Sequence, residues 1–380
     1  MSKLFLKLQN TTVMSIDVDM ESGSFPDVNT DDWRKYNVYD IKRRDLLPFY
    51  LRTEKEPENE EEYIDAYYSF FDYLNNRIFE YGRVGFKELA EHYNIPDHLT
   101  GMKATQSKYI QLRGLSASDD YWLTFNEEEK WENVNPRTNL VDINIARLAV
   151  GGLPLRFDEY IFPITTEYSG KGVGKRRWVN KDGSLVLRKY NSYKNENTLN
   201  NLVCVSELLS NSGIDHVSYK KKLDDFSDLG EPFIKQQDCC ECDCLANNRF
   251  SFVSMSEIEK YIEREHKGIG FFDLLTENNK EDLYKILITS YISGCITDIL
   301  YDVGFLMDNK TGELVKIAPF FGYSDCFNEV SFEEITYPSN NLLSYADKKT
   351  LNRIMNNCNF NLGVNPFFAK RYKELQRLLK

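Results

Sequence analysis

The sequence predicts an α+β protein in which strands come first and helices dominate the second half. Leucines at positions 4, 6 and 8 alternate with other residues, as in a half-buried strand. Apolar side chains recur at helical spacing over 63–81 and 255–303. The turn Asp308-Asn309-Lys310-Thr311-Gly312 separates two short apolar runs, which indicates a hairpin. No internal repeat is visible.

Length and composition narrow the class further. The 380 residues suffice for two domains, or one large one, at roughly 100–200 residues each. With 47 basic and 59 acidic residues the net charge is −12, which argues against general binding to nucleic acid or to anionic membranes. Hydrophobic residues make up 42%, including 24 Tyr and 24 Phe, which is enough for a core and excludes disorder of the whole chain.

The apolar runs are too short for a membrane protein. None reaches the ~20 residues that cross a bilayer. Lys3 and Lys7 interrupt the start of the chain too early for the core of a signal peptide. The sequence therefore predicts a soluble cytoplasmic protein, in which the eight cysteines need not form disulfides.

The first 152 residues read as one α+β region. Residues 3–19 predict a hairpin, and helices follow over 63–81 and 86–93. Residues 114–152 are rich in turn residues and buried rings, as expected of a junction made of turns and loops. A domain boundary is predicted near 152.

A second region follows over 153–380. Two short strands, 175–179 and 184–188, flank the turn Asn180-Lys181-Asp182-Gly183, and a helix spans about 195–209. Residues 255–303 are mostly helical, the hairpin covers 305–317, and helices are predicted over 342–355 and 367–379.

Three constellations could carry chemistry. Gly170, Gly172 and Gly174 form a basic turn before the strand pair, where backbone amides could approach a phosphate, although the spacing matches neither a P-loop nor a dinucleotide fingerprint. The cluster Cys239-Cys240-Glu241-Cys242-Asp243-Cys244 contains one Cys-x-x-Cys spacing, as in metal sites, but four thiolates so close together can hardly surround one zinc ion. The sequence leaves open whether this cluster binds a metal. Asp298 and Asp302 would share a face of a helix, where they could bind a cation or simply be exposed acids.

The order of these parts resembles a protein-kinase site, specifically that of the HipA-like Ser/Thr kinases, a bacterial family that includes toxin kinases of toxin–antitoxin systems. Segments that carry the resemblance are Leu115-Ser116-Ala117-Ser118-Asp119-Asp120-Tyr121-Trp122, Trp131-Glu132-Asn133-Val134-Asn135, Ile214-Asp215-His216-Val217-Ser218-Tyr219, Gly304-Phe305-Leu306-Met307-Asp308 and Ile317-Ala318-Pro319-Phe320-Phe321.

The resemblance implies a kinase-like HipA fold after a small N-terminal sheet-containing region. Its smaller lobe would cover about 153–250 and its mainly helical lobe about 251–380. ATP and Mg²⁺ are the cofactors it implies, with the glycines at 170, 172 and 174 and either Arg188 or Lys189 at the nucleotide. The register between Arg188 and Lys189 stays open.

Several positions depart from the family pattern. With Asp302 under the metal-binding Asn, the base position holds Thr297, and Asp298 lies one residue away. Gly322 stands where the family has its second metal-binding Asp, and Asp325 is the nearest replacement. The helix glutamate that should pair with the lysine reads as Asn201, with Glu196 nearby.

These departures leave three hypotheses. The favoured one is a degenerate, pseudokinase-like site that binds a protein partner or a nucleotide. The second is an active kinase in which Asp298 is the base and Asp302 with Asp325 holds the metal. The third is a structural or host-interaction protein whose cleft is filled by side chains such as Tyr301 and Tyr323. The resemblance implies a bacterial or phage protein, and the sequence leaves open whether ATP and Mg²⁺ are retained and which protein is the partner.

Overall fold

The α+β class is confirmed by the computed structural model. It describes residues 2–18, 40–53, 58–77, 83–92, 112–139, 141–151, 165–167, 169, 174–191, 196–229, 235–265, 271–295, 299–329, 331 and 348–380. Within these residues the chain forms three antiparallel sheets with helices packed on them. The boundary predicted near 152 adjoins residues 152–164, which lie outside the described residues.

The first sheet has the strand order β3-β2-β1-β4. Its strands are β1 (Ser2–Leu8), β2 (Thr11–Val18), β3 (Asp40–Ile41) and β4 (Tyr121–Thr124). The predicted hairpin over 3–19 is confirmed as β1 and β2. The prediction of turns and loops was wrong at β4, whose four residues are all buried. These residues show no alternation of apolar and polar side chains, but they pair with β1, with Leu6 opposite Leu123, and this pairing makes them a strand.

Three helices lie in the described part of the first 152 residues. They are α1 (Glu60–Arg77), α2 (Phe86–His92) and α3 (Ile143–Gly151). The first two confirm predicted helices, although the predicted end of α1 at 78–81 lies outside the described residues. Helix α3 lies where turns were predicted, because Ala146 and Val150 bury one helical face against Tyr190 and Phe226.

The second sheet carries the candidate nucleotide residues. It contains β5 (Arg176–Lys181), β6 (Ser184–Tyr190), β7 (Lys220–Asp224) and β8 (Gln237–Asp243), in the order β5-β6-β8-β7. The predicted strand pair is confirmed, as is the helix that follows it, α4 (Thr198–Leu209). Leu199, Leu202 and Val205 of α4 are buried in the main core together with Leu187, Cys240 and Cys242 of the sheet.

The third sheet has the order β11-β10-β9. It is made of β9 (Phe250–Ser254), β10 (Gly304–Asp308) and β11 (Leu314–Ile317), and the last two confirm the predicted hairpin. Helices α5 (Met255–Glu265), α6 (Glu277–Ser293) and α7 (Ile299–Asp302) confirm the mostly helical 255–303 segment. The last two helices, α8 (Lys348–Asn357) and α9 (Pro366–Leu378), are also confirmed, with 342–347 outside the described residues.

One large hydrophobic core runs from Leu4 near the start of the chain to Leu379 near its end. The 3-10 turn at Phe49–Leu51 packs on α5, so the N-terminal residues contact the helical part directly. Among the helices described, none is long and apolar enough to span a membrane.

Candidate nucleotide site

Strand β6 places Arg188 and Lys189 on opposite faces of the second sheet. Successive side chains of a strand point to opposite faces, so only one of the two can face α4. Arg188 lies on the other face, where Nη1 is 2.9 Å from Asp224 and Nε is 3.1 Å from Glu241. Lys189 is half-buried, and its ammonium lies 5.0 Å from the centroid of the Tyr219 ring. Lys189 is therefore the cation of β6 that faces the candidate site.

Arg188 belongs to a buried ion network on the far face of the sheet. Asp224 is fully buried and receives two hydrogen bonds from Arg177, at 2.9 and 3.0 Å, besides the one from Arg188. Burial raises the pKa of Asp224, but the hydrogen bond from Tyr190 and the charge of Arg177 outweigh it and keep the pKa below its usual value. Within this network Arg188 is already paired with two carboxylates of the protein.

Asp302 acts on the charge of Lys189, although 113 positions separate the two residues in the sequence. Burial lowers the pKa of Lys189, while the negative charge of Asp302 is one of the groups that raise it. Asp302 is half-buried at the end of α7, immediately before β10. A carboxylate just before the third sheet thus influences the charge of a lysine in the second sheet.

Asp302 also fills the space beside Gly322. A Cβ added to Gly322 would lie 2.6 Å from the Asp302 Cβ and 2.8 Å from its Oδ2, closer than real Cβ contacts allow. Gly322 follows β11 and the buried Phe320, so the hairpin brings positions 302 and 322 together. The carboxylate of Asp302 therefore occupies the place from which a side chain at 322 would extend.

The other site residues predicted from the sequence are exposed, lie in α4 or lie outside the described residues. Asp325 is exposed, and its carbonyl accepts a hydrogen bond of 3.2 Å from Asn328. Gly174 is exposed with open space around its Cα, whereas Gly170, Gly172, Thr297 and Asp298 lie outside the described residues. Asn201 is buried in α4, and Glu196 is exposed just before that helix.

The donor set does not fit a two-carboxylate Mg²⁺ site. Mg²⁺ requires near-octahedral oxygen ligands, usually including one or two carboxylates. Asp302 offers one carboxylate, Gly322 offers none and Asp325 is exposed. In the described ranges, no group of three His, Cys, Asp or Glu side chains is arranged to hold a metal ion.

The cysteine cluster is divided by strand geometry. Cys239 packs with Tyr190 and Phe226 on one face of β8, whereas Cys240 and Cys242 belong to the core on the other face. Cys240 donates to the Leu199 carbonyl at 3.4 Å, and Cys244 donates to the Ala117 carbonyl at 3.1 Å. Burial raises the thiol pKa to about 11 for Cys240 and about 12 for Cys242, which opposes the thiolate form that zinc needs.

Sequence reasoning missed two features of this site. Tyr219 was visible only as the last residue of a segment that resembles the family, and its contact with Lys189 joins positions 30 apart. Cys295 and Cys326 form a disulfide with their Cα atoms 4.0 Å apart, and nothing in the local sequence distinguishes them from the six free cysteines. The segment that this disulfide closes contains Asp298, Asp302, Gly322 and Asp325.

Comparison with known proteins gave similarity only at the level of solved structures. No protein-family profile and no curated protein matches the sequence. The chain is similar to the Helicobacter pylori proinflammatory kinase CtkA, with 11% identity and a TM-score of 0.37 over 55% of this chain and 91% of that one.

It is also similar to a chain of the Shewanella oneidensis MR-1 toxin–antitoxin complex of HipA, HipB and operator DNA. Here the identity is 12% and the TM-score 0.42, over 99% of this chain and 96% of that one. Because both TM-scores are below 0.5, neither likeness bears on the function of this chain.

Proposed function

We propose that the chain is a HipA-like, kinase-fold protein that binds an adenine nucleotide without efficient phosphoryl transfer. The observation that carries this proposal is the pairing of Asp302 with Gly322. The position where the family has its second metal-binding carboxylate has no side chain, and Asp302 fills the adjacent space. Phosphoryl transfer depends on positioning and on cations that stabilise the developing charge.

Lys189 supports the first part of the proposal, that the chain binds a nucleotide. Its ammonium lies over the Tyr219 ring, is influenced by the charge of Asp302 and, within the described part of the chain, makes no ion pair with a carboxylate. A half-buried ammonium with remaining hydrogen-bond capacity suits a phosphate oxygen. Arg188 is less suited because Asp224 and Glu241 already hold it.

The absence of one metal-binding carboxylate supports the second part of the proposal, that phosphoryl transfer is inefficient. Removing one preorganised electrostatic contact typically lowers a rate by about 10²–10³. Thr297, at the base position, would lower it further, since a threonine hydroxyl does not act as a base at neutral pH. An active kinase would need Asp298, Asp302 and Asp325 to converge, and the exposure of Asp325 does not favour this arrangement.

The structural alternative has one observation in its favour. Tyr323 is fully buried, its hydroxyl lies 3.2 Å from that of Ser206, and it donates to the Val217 carbonyl. A tyrosine thus packs between α4 and the turn after β11, as expected if side chains replace a ligand. A protein without a ligand site would bind a partner through its surface only.

Calorimetry with ATP tests the proposal, with and without Mg²⁺. We expect ATP binding that changes little when Mg²⁺ is chelated, together with autophosphorylation at background level. Lys189→Met should abolish binding, whereas Lys220→Met, which removes an exposed lysine from the edge strand β7, should not. Rapid Mg²⁺-dependent autophosphorylation that is lost in Asp302→Ala would establish the active kinase instead, and the absence of any ATP binding would favour the structural alternative.

A further inference from the structure

The lysine of the candidate site is held by an aromatic ring. The Lys189 ammonium lies 5.0 Å from the Tyr219 centroid, within the range of a cation–π interaction. Helix α4, which packs on this face of the sheet, offers the buried amide of Asn201 and, just before its start, the exposed Glu196. In the described part of the chain, the Glu196 carboxylate forms no ion pair with Lys189 and the Asn201 amide forms no hydrogen bond with it.

Tyr219 is anchored to the two elements that the site must connect. Its backbone N–H donates to the Ser206 hydroxyl of α4 at 3.0 Å. Its ring packs edge-to-face on Tyr323, with centroids 5.3 Å apart, and its hydroxyl lies 3.5 Å from the Phe321 carbonyl beside Gly322. Only 4% of Tyr219 is exposed, so the ring has little freedom to leave this position.

We infer that Tyr219 is the positioning residue for Lys189 and that its ring takes the role that a helix carboxylate would otherwise have. This inference rests on the proposed nucleotide-binding function. A ring face attracts the ammonium without neutralising it, so the lysine keeps its full charge for a phosphate group. The buried surroundings strengthen the contact, because a desolvated cation–π pair is stronger than an exposed one.

The contact also connects α4 to the turn at Gly322. The Ser206 hydroxyl accepts from Tyr219 and lies 3.2 Å from the Tyr323 hydroxyl, so both rings are tied to the same helix residue. A shift of α4 would therefore displace the ring, and with it the ammonium. In this arrangement a neutral network sets the position of the lysine.

Two aromatic substitutions and one aliphatic substitution in the full chain test the inference. Tyr219→Phe should keep the ATP dissociation constant within about twofold, because the ring face remains. Tyr219→Leu should weaken ATP binding by about 2- to 30-fold, the value of one cation–π contact. Pentafluorophenylalanine at position 219 keeps the shape of the ring but removes its negative face, and should weaken binding as leucine does even if the leucine variant folds poorly.

NMR supplies a readout that needs no nucleotide. The ring current of Tyr219 should shift the Lys189 Cε protons upfield, with the signal assigned from its absence in Lys189→Met. This shift should persist in Tyr219→Phe and in Tyr323→Phe, which loses the hydroxyl contacts of Tyr323 but leaves residue 219 in place, and it should disappear in Tyr219→Leu.

The outcomes separate the two proposals. An unchanged Lys189 shift in Tyr219→Leu, or equal ATP affinity in the phenylalanine and pentafluorophenylalanine variants, would overturn the role of Tyr219. If the wild-type protein binds no ATP, the proposed function fails, and the shift still decides whether the ring holds the lysine.

Discussion

At the scale of single residues, Asp302 and Gly322 depend on each other, because the Asp302 side chain occupies the space that a side chain at 322 would need. The HipA-like pattern that the sequence resembles has an asparagine at the first position and a carboxylate at the second, whereas here the carboxylate is at 302 and the second side chain is absent. Because Asp302 fills the space beside the Gly322 Cα, a change at one position alone should not restore a metal site.

The substitution Gly322→Asp should therefore destabilise the protein. Its Cβ would overlap the Asp302 side chain, and two carboxylates would be forced together, so we expect the free energy of unfolding to fall by about 1–3 kcal/mol. Adding Asp302→Asn removes the repulsion and should recover part of this loss, measured by urea denaturation of both single variants and the double variant. Additive effects of the two substitutions would contradict the pairing.

At the same scale, the choice between Arg188 and Lys189 could not be made from the sequence. The period of a strand shows only that the two residues face opposite sides. What decides between them is Asp224, 36 residues away from Arg188 in the chain, whose buried carboxylate binds Arg188 and Arg177 together. The same limit applies to Asp302 and Gly322, because their contact depends on how the hairpin closes.

At the scale of elements, strongly periodic segments were predictable and short or irregular ones were not. The apolar residues of helices α1 and α4 and of the hairpin β10–β11 are clearly spaced, and the structure contains all three elements. Strand β7 begins with three lysines and shows no alternation, because it is the edge of its sheet and its residues 220–223 are exposed. Strand β8 is rich in cysteines, a composition that does not indicate a strand, and only pairing with β6 and β7 defines it.

The stability of the second sheet should depend on pH through Glu241. Burial raises the pKa of Glu241, but hydrogen bonds from Lys181, Lys222 and Arg188 lower it to about 2. A carboxyl with a lower pKa in the folded state binds fewer protons there than in the unfolded state. Its stabilisation is therefore complete above about pH 4.5 and is lost as the pH falls toward 2.

We expect Glu241→Gln to lose about 1–3 kcal/mol of unfolding free energy at pH 7 and to show a shallower decline between pH 4.5 and 2. Urea denaturation over a pH series measures both effects. Asp238→Asn, at an exposed position of the same strand, is the matched control and should follow the wild-type curve. Equal slopes for wild type and Glu241→Gln would show that the hydrogen bonds to Glu241 do not stabilise the sheet.

At the scale of the whole molecule, the Cys295–Cys326 disulfide closes the segment that carries Asp302 and Gly322. The two cysteines are 31 positions apart, and the segment between them holds α7, the hairpin and the turn at Gly322. The backbone reinforces the closure, since Phe327 N donates to the Ser293 carbonyl at 2.9 Å and Asn328 N donates to the Gly294 carbonyl at 3.0 Å. The part of the site that contains Asp302 and Gly322 is thus built on a closed loop.

Reduction of this disulfide should lower the free energy of unfolding by about 3–4 kcal/mol, the loop-closure entropy for a separation of 31 residues. Denaturation with and without dithiothreitol measures the change. The double variant Cys295→Ser/Cys326→Ser should resemble the reduced wild type and should not respond to dithiothreitol. A wild-type protein that is equally stable in both conditions would show that the bond adds nothing to stability.

The N-terminal residues also support the site, through Gly312 at the end of the β10–β11 turn. Gly312 has a φ of +70°, its carbonyl accepts from Arg52 at 2.8 Å, and an added Cβ would overlap the carbonyl of Asp45. Gly213 has a similar φ of +74° but open space around its Cα. The two glycines therefore share the backbone strain that a side chain would cause and differ in the contact with residues 45–52.

Gly312→Ala should thus be more destabilising than Gly213→Ala. Backbone strain accounts for about 1 kcal/mol in each variant, and the overlap with Asp45 should at least double that loss for Gly312→Ala. Urea denaturation measures the difference. Because the same hairpin places Asp302 beside Gly322, Gly312→Ala should also weaken ATP binding relative to Gly213→Ala. Equal stability and equal affinity in the two variants would mean that the hairpin holds its position without the N-terminal region.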